Sequence, residues 1–446
     1  MKKIICKYIK VYVFFILLVC ISLFMASRIP TDKIREKSVE SAKILTEQTE
    51  KVRFNSLEKE LYTDNSSDAI MLNIIYSMDY NKPLDSIMLC RRNYLPNYTT
   101  EYLSDVNGNL PFENGHFSMV EEFQNLVDGK KQISYEYARY WHGYIPIIKV
   151  LLLSFNITQI RNIIFVCVIF LLILLFILIF RNVGAAQAVS ILFAFIATDL
   201  FVWNKELHGI FPMLIGLITS ILIASGLITK KNFNVMLFIN GGLVACFDLL
   251  TTPLVGFLMP IIVYYLVNNE DKKWYIMIRD LIVNGINCLL GYFAIWITKW
   301  FLTDVLFGTD IVKVSVEQIF YRTGLQRADD KITAIKKALK LNYEKAVGTM
   351  TYALITFGCI MGIINTLRYG DKFFVDSRKI PYYICLVLPV IWIVLVVNHS
   401  TIHSFFTYKN VIIMELSFLL INCDNKQKVK EEKAVYKIDE KEEKYA

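Results

Sequence analysis

The chain of 446 residues is 55% hydrophobic and only 20% charged, and its formal net charge is +8. Soluble domains are about 45–50% apolar and about 25% charged, so this composition excludes an ordinary soluble protein. The apolar residues also gather in uninterrupted blocks such as 162–180, a pattern typical of membrane-spanning helices. The surplus of lysine and arginine is therefore interpreted as a topology signal, and nucleic acid is excluded as a partner.

Ten segments are predicted to be transmembrane helices because they are long and apolar enough to cross a bilayer. They are 9–27, 162–180, 183–203, 209–228, 233–249, 254–268, 279–303, 346–367, 381–398 and 405–422. The first is interpreted as an uncleaved span, since Tyr8 and Ile9 lengthen it beyond a signal peptide. As an alternative, 233–249 and 254–268 form one broken or re-entrant unit around Asp248–Pro253.

Short loops rich in lysine and arginine predict a cell-membrane protein with both termini in the cytoplasm. The predicted parts are a cytoplasmic N-terminus 1–8, helix 1 (9–27), an external loop domain 28–161, helices 2–7 (162–303), an external helical loop 304–345, helices 8–10 (346–422) and a charged cytoplasmic tail 423–446. The expected fold class is thus an all-α polytopic membrane protein with a large external loop after the first helix.

Helices are also predicted outside the membrane. In the external domain they cover Asp32–Glu60, Asp68–Tyr76 and a segment near Ser118–Val127. The apolar run Ile145–Phe155 is too short to span and is expected at the outer interface. In the second loop, helical patterns cover 311–322 and 329–345.

With this topology every histidine, and several acids at helix ends, falls on the outer side. Charges near a bilayer usually face a cavity or a partner, so one outward-facing site is predicted. An arginine fork suits phosphate or carboxylate, and aromatic rings suit the face of a sugar. The candidate substrate-binding residues are Arg139, Trp141, His142, Asp199, Trp203, Lys205, Glu206, Asp248, Trp296, Lys299, His399 and His403.

Each of these candidates has a structural alternative. The run 135–144 (YEYARYWHGY) is also typical of an aromatic belt at the headgroup level. Lys299 could instead extend its ammonium group toward the interface, and Asp248 could cap a helix. His399 and His403 are spaced i, i+4, as in metal motifs, but Ser400 stands where a zinc-protease helix has glutamate. Metal binding, substrate hydrogen bonding and capping are the three interpretations of this pair, and no metal ligand is assigned.

Asp64 and Asp68 are the candidate catalytic residues. A carboxylate held at the bilayer surface can act as general base on an acceptor hydroxyl. The alternative is capping of the helix by Asp64, Ser66 or Ser67. No cofactor is required by the sequence, and dependence on a divalent cation is left open.

Four motifs carry a resemblance to a known family: RYWHGY (139–144), FDLLTTP (247–253), GYFAIWITKW (291–300) and NHSTIHSFFTYK (398–409). In order and spacing they resemble a family of poorly characterised multi-pass membrane proteins of low-GC Gram-positive bacteria. The resemblance covers about residues 28–422, and Lys409 stands where an arginine is expected.

More distantly, the layout is similar to that of the GT-C membrane glycosyltransferases. That similarity implies transfer of a sugar from a polyprenyl-phosphate donor, with an acid of the first external loop as base. It predicts a transferase at the outer face, whose partners are the lipid bilayer, the lipid-linked sugar and an envelope glycan or lipid acceptor. Alternatives are a transporter or flippase of an envelope precursor, and a non-enzymatic envelope assembly protein, so enzyme status is left open.

Overall fold

The computed structural model describes residues 2–48, 51–54, 59–62, 64–94, 119–207, 209–324, 330–370 and 373–423. Within these ranges the regular secondary structure is helical apart from two short antiparallel pairs of strands. This finding confirms the predicted all-α class. All but the first residue of the predicted tail 423–446 lies outside the described residues.

Helices and strands are numbered in chain order. The first part contains α1 (Lys2–Ser27), α2 (Thr31–Glu47), β1 (Lys51–Phe54), β2 (Lys59–Tyr62), α3 (Asn65–Tyr76), α4 (Pro83–Leu89), β3 (Arg92–Tyr94), α5 (Met119–Val127), β4 (Ile133–Tyr135) and α6 (Ile145–Leu151). The second part contains α7 (Ile157–Asn182), α8 (Ala185–Ala197), α9 (Ile210–Ala224), α10 (Lys230–Phe247), α11 (Pro253–Asn268), α12 (Trp274–Phe307), α13 (Ile311–Arg322), α14 (Lys331–Ala346), α15 (Thr349–Tyr369), α16 (Ile380–Leu395), α17 (Val397–Ile402), α18 (Ser404–Thr407) and α19 (Val411–Asn422).

In the described chain, six helical segments are long and apolar enough to cross a membrane. They are Ile5–Ser27, Ile157–Asn182, Trp274–Phe307, Thr349–Tyr369, Ser377–Leu395 and Ser404–Asn422. The helices α8, α9 and α11 are apolar but shorter. Helix is therefore present at each predicted span, while the number of ten crossings stays a prediction.

The predicted span 183–203 is interrupted, so it is not one continuous helix. The α-helix stops at Ala197, and Asp199 takes a left-handed backbone conformation with φ of 60°. A short 3-10 helix, Leu200–Lys205, follows. The Thr198 hydroxyl bonds to the carbonyl oxygen of the preceding turn at 2.8 Å, a local contact that competes with helix continuation.

The predicted helix over Asp32–Glu60 is too long, because α2 ends at Glu47. Gln48 leaves the helix in an extended conformation, and its side-chain oxygen accepts a hydrogen bond from Arg161 at 2.9 Å. Its backbone oxygen also accepts a bond from Asn65 at 3.3 Å. These tertiary contacts end the helix where local propensity alone would continue it.

The chain then forms the antiparallel pair β1 and β2, while β3 pairs with β4.

Helices α10 and α12 pack backbone against backbone. A Cβ atom added at Gly241 of α10 would overlap the backbone oxygen of Cys288, and one added at Gly291 of α12 would overlap that of Phe238. Small residues at a crossing let two helices approach closely. This crossing holds the C-terminal part of α12 beside the turn that follows α10.

Lys149 of α6 gives a prediction about stability. Its side chain is fully buried, its ammonium nitrogen has no hydrogen-bond partner among the described residues, and burial lowers its pKa to about 8. Lys149→Met is therefore expected to raise the free energy of unfolding at pH 7 by roughly 2–3 kcal/mol. Thermal unfolding of the purified protein in detergent measures this effect, with the exposed Lys82→Met as control.

The pH dependence follows from the lowered pKa. Between pH 8 and 10.5 the folded protein releases the Lys149 proton while the unfolded chain keeps it, so stability rises with pH in this window. Below pH 8 both states are protonated and the cost of burying the charge is fully present. The Lys149→Met variant should lack this rise, and an identical pH slope in both proteins would contradict the prediction.

Candidate functional site

The turn at residues 248–253 joins α10 to α11 and lies at the centre of the candidate site. Asp248 is fully buried, and its Oδ1 accepts hydrogen bonds from the Thr251 backbone N–H at 2.8 Å and the Thr251 hydroxyl at 2.5 Å. Leu250 has a left-handed backbone with φ of 66°, which is uncommon for leucine. Asp248 therefore shapes this turn by local hydrogen bonds, whereas the start of α11 has no side-chain cap.

Two side chains near the end of the described chain hold the backbone of the 248–253 turn. The Nε2 atom of His399 lies 2.7 Å from the carbonyl oxygen of Leu250. The amide nitrogen of Asn410 donates to the carbonyl oxygen of Thr251 at 3.1 Å. The second and fourth sequence motifs, which are far apart in the chain, are thus joined directly.

A small cavity with a volume of about 20 Å³ lies beside this turn and combines two arginines with aromatic rings. We call it the arginine cavity. Its lining residues are Arg139, Tyr140, Leu250, Trp296, Trp300, Ser315, Gln318, Ile319 and Arg322. They come from the loop before α6, the 248–253 turn, the end of α12 and one face of α13. Two of them, Arg139 and Trp296, are predicted site residues.

The two arginines make the cavity suitable for an anion. The guanidinium carbon of Arg139 lies 5.2 Å from the centre of the Tyr137 ring, and its buried Nε has no hydrogen-bond partner among the described residues. Arg322 enters from α13, and its Nη1 lies 2.6 Å from Nδ1 of His399. The hydroxyl of Ser315 is also buried and has no partner among the described residues. A bound phosphate or carboxylate would accept hydrogen bonds from such donors.

The indole rings give the cavity an aromatic wall. Trp296 and Trp300 lie one helical turn apart on α12, with ring centres 5.7 Å apart. The Nε1 atom of Trp300 donates to the backbone oxygen of Arg139 at 2.8 Å. Trp300 therefore holds the backbone of the segment that contains Arg139. The Nε1 atom of Trp296 donates to Ala245 at 3.2 Å. Because their N–H groups are bonded to protein, these two residues contribute aromatic ring atoms to the cavity lining.

Two other candidate tryptophans lie in the protein core. Trp141 is fully buried and donates to the backbone oxygen of Ile295 at 2.7 Å. Trp203 is also buried and donates to the backbone oxygen of Thr198 at 3.2 Å. Neither lines the cavity, and their contacts favour a packing role.

His142 and Lys299 also make internal contacts. The two ring nitrogens of His142 lie 2.8 Å from the Tyr144 hydroxyl and 2.9 Å from the Tyr137 carbonyl oxygen, and burial lowers its pKa to about 3. Lys299 of α12 donates to two backbone oxygens in the last turn of α4, at 2.7 and 2.8 Å. A cation is favourable at a helix C-terminus, so Lys299 fastens α4 to α12. These contacts favour structure over phosphate binding.

The two candidate catalytic acids lie at the start of α3. Asp64 caps this helix by accepting a hydrogen bond from the Ser67 N–H at 2.8 Å. Asp68 is fully buried, and its Oδ2 accepts from Arg161 Nε at 2.8 Å. Its Oδ1 accepts from the backbone N–H of Leu207 at 2.9 Å. Neither acid lines the cavity, and the described contacts use both carboxylates to hold the fold.

Asp199 and Glu206 lie near Asp68, because the buried ammonium group of Lys409 interacts with all three carboxylates. Glu206 forms a buried ion pair with Lys409, and Asp199 accepts a hydrogen bond from the Tyr408 hydroxyl at 3.2 Å. Lys205 is exposed on the surface. The predicted single site therefore divides into a buried charge cluster around Asp68 and Glu206 and the arginine cavity.

The two histidines of the last motif lie side by side, with ring centres 4.7 Å apart. His403 also stacks on Phe406 at 5.0 Å. In the part of the chain that the structure describes, no group of three or more histidine, cysteine or acidic side chains is arranged to hold a metal ion. The described contacts of His399 run to protein groups, as a structural interpretation expects.

Some cavity residues were missed by sequence reasoning, although a signal existed for most of them. Trp300 follows Trp296 by four residues in the same motif, so a helix places both on one face. Ser315, Gln318 and Arg322 have the helical spacing i, i+3 and i+7. All three lie in the segment 304–345, which is predicted to be an external helical loop, and helical spacing places them on one face.

No protein-family model, curated protein or solved structure matches this chain. The resemblance drawn from the four motifs therefore stays a prediction, and the site is interpreted from its own geometry.

Proposed function

We propose that this chain is a GT-C-like membrane glycosyltransferase. It would transfer a sugar from a polyprenyl-phosphate donor to a cell-envelope acceptor at the outer face of the cell membrane. One observation carries the proposal: two arginines and two tryptophans, supplied by a loop and two helices, surround one cavity. Guanidinium groups suit the donor phosphate, and indole faces suit the apolar side of a sugar ring.

In the proposed reaction Arg139 and Arg322 hold the donor phosphate, and Trp296 and Trp300 contact the sugar. The acceptor hydroxyl oxygen bonds to the anomeric carbon while the bond from that carbon to the phosphate oxygen breaks. The hydroxyl proton passes to a carboxylate base, and polyprenyl phosphate leaves with the electron pair. The two arginines stabilise the negative charge that develops on the leaving phosphate. Assignment of Asp64 or Asp68 as the base stays a prediction, because neither acid lines the cavity.

The proposed topology has ten crossings with both termini in the cytoplasm. The short helices fit this proposal when they are surrounded by protein, because their ends then meet polar groups instead of lipid. Helix α11 supports this view, since it is buried throughout Pro253–Leu266. The arginine cavity would then open on the outer side.

A flippase of an envelope precursor is the second candidate function. The cavity lining contains two cations but no acidic residue, so it supplies binding groups and no base. A protein that only moves a lipid-linked sugar needs such binding groups but needs no base.

Reconstitution in lipid vesicles tests the proposal. The purified protein is expected to transfer radiolabelled sugar from a polyprenyl-phosphate donor to envelope acceptors. Arg139→Met and Arg322→Met should each lower the rate about tenfold to a hundredfold, because each removes a charged hydrogen-bond donor. Lys313→Met is the matched control, since Lys313 is an exposed cation on the same helix as Arg322.

The outcomes separate the candidates. Movement of intact donor between leaflets without transfer would favour the flippase. Transfer that is unchanged in both arginine variants would remove the cavity from the proposed reaction.

A further inference from the structure

His399 contacts two groups whose chemistry fixes its protonation. Its Nε2 lies 2.7 Å from the carbonyl oxygen of Leu250, which only accepts hydrogen bonds, so Nε2 must carry a proton. Its Nδ1 lies 2.6 Å from Nη1 of Arg322, and a guanidinium only donates, so Nδ1 must be unprotonated. The ring is therefore neutral, with its hydrogen on Nε2.

The surroundings of His399 support this state. The side chain is only 3% exposed, so little water competes for either nitrogen. Burial, together with the charge of Arg322 and the neighbouring His403, holds the pKa of His399 well below its usual range. The ring thus stays an acceptor for Arg322 across the physiological pH range.

A second contact joins α17 to α13 without involving the guanidinium. The amide nitrogen of Asn398 donates to the backbone oxygen of Tyr321 at 2.6 Å. Asn398 and His399 are neighbours in sequence and bond to neighbouring residues of α13. Asn398 therefore fastens the helix end, whereas His399 contacts the functional group of Arg322.

We propose that His399 is a positioning residue that orients the Arg322 guanidinium in the arginine cavity by connecting it to the 248–253 turn. The ring bridges α13 and the turn, and both line the cavity. An arginine on the last turn of a helix has many rotamers, and an acceptor in a fixed place selects among them. The inference rests on the proposed function for the identity of the anion, but not for the contact between the two side chains.

Two substitutions test the contacts of the two ring nitrogens of His399 separately. In His399→Asn the amide oxygen stands near the place of Nδ1 and can still accept from Arg322. In His399→Gln the amide nitrogen stands near the place of Nε2 and can still donate to Leu250, but the acceptor for Arg322 is lost. Binding is measured with farnesyl phosphate in lipid nanodiscs, with farnesol as the control ligand that lacks phosphate and inorganic phosphate as the soluble anion.

The expected results differ between the variants. His399→Gln should weaken farnesyl phosphate binding about tenfold to a hundredfold, while His399→Asn should stay within about threefold of the wild type. Asn398→Ala, which loosens the same helix end, should also stay within about threefold. Equal losses in His399→Gln and Asn398→Ala would mean a merely structural role and would overturn the inference. No loss in His399→Gln would overturn it as well.

Nitrogen NMR of the protein labelled at histidine gives a readout that needs no ligand. The His399 signals, assigned with the His399→Gln variant, should show a protonated Nε2 and an unprotonated Nδ1 at neutral pH. Arg322→Met should shift the Nδ1 signal. A ring protonated on Nδ1 would overturn the inference, whereas failure of the wild type to bind farnesyl phosphate with this NMR pattern intact would overturn the proposed function alone.

Discussion

Arg161→Met is expected to lower the free energy of unfolding by about 3–5 kcal/mol, because it removes the buried guanidinium group that pairs with the buried Asp68 carboxylate. Arg161 and Asp68 are both almost fully buried, at 2% and 0% exposed. The guanidinium also donates to Asn65 and Gln48, each at 2.9 Å. One side chain thus joins the start of α7 to α3 and to the residue that follows α2, so its loss affects the packing of all three helices.

Thermal and denaturant unfolding in detergent micelles measures this effect. Arg35→Met, which removes an exposed arginine of α2, is the control and should change stability by less than about 0.5 kcal/mol. Adding Asp68→Leu to Arg161→Met should restore part of the stability, since the buried carboxylate that loses its guanidinium partner is then absent as well. Equal midpoints for Arg161→Met and Arg35→Met would contradict the expected result.

Gly291→Ala is expected to destabilise the protein by roughly 3 kcal/mol, because the added methyl group meets the backbone of α10. The nearest atom is the backbone oxygen of Phe238, which no side-chain rotation can move away. Relief would need the two helices to separate, and that would open the packing around Gly241 on the facing helix.

Gly285→Ala is the matched control on the same helix. A Cβ atom added at Gly285 meets nothing within 4 Å, so its main effect is on helix propensity. It should leave stability unchanged or raise it by at most about 1 kcal/mol. The unfolding midpoints of the two variants in the same detergent decide the matter, and a similar change in both would contradict close packing at Gly291.

Local signals carry most of what the sequence predicts correctly. Apolar runs predict where the helices lie, since length and hydropathy act within one segment. The capping interpretation of Asp64 agrees with its bond to Ser67, three residues along the chain. The helical pattern at 311–322 coincides with α13 for the same reason.

Long-range contacts explain what the sequence does not predict. Lys299 is a candidate for a phosphate site, but its partners are carbonyl oxygens of α4, more than two hundred residues earlier. Arg161 borders a predicted span and gives no sign of its pairing with Asp68. Helix α2 ends early for the same kind of reason, because Gln48 is held by residues that a local pattern does not include.

The arginine cavity likewise depends on both local signals and long-range contacts. The motif that contains Arg139 and the one that contains Trp296 are visible in the sequence as polar and aromatic groups near a helix end. Their meeting with Arg322 depends on the path of α13 over the end of α12, which is a property of the fold. The sequence therefore predicts some of the cavity residues, but it does not distinguish them from the residues of the buried charge cluster.

The most direct test of the proposed binding site is a titration of the wild-type protein and the double variant Arg139→Gln/Arg322→Gln with farnesyl phosphate in lipid nanodiscs. The wild type should bind farnesyl phosphate at least about tenfold more tightly than farnesol, and the double variant should lose this preference. Equal preference for the phosphate in both proteins would contradict a phosphate site between Arg139 and Arg322.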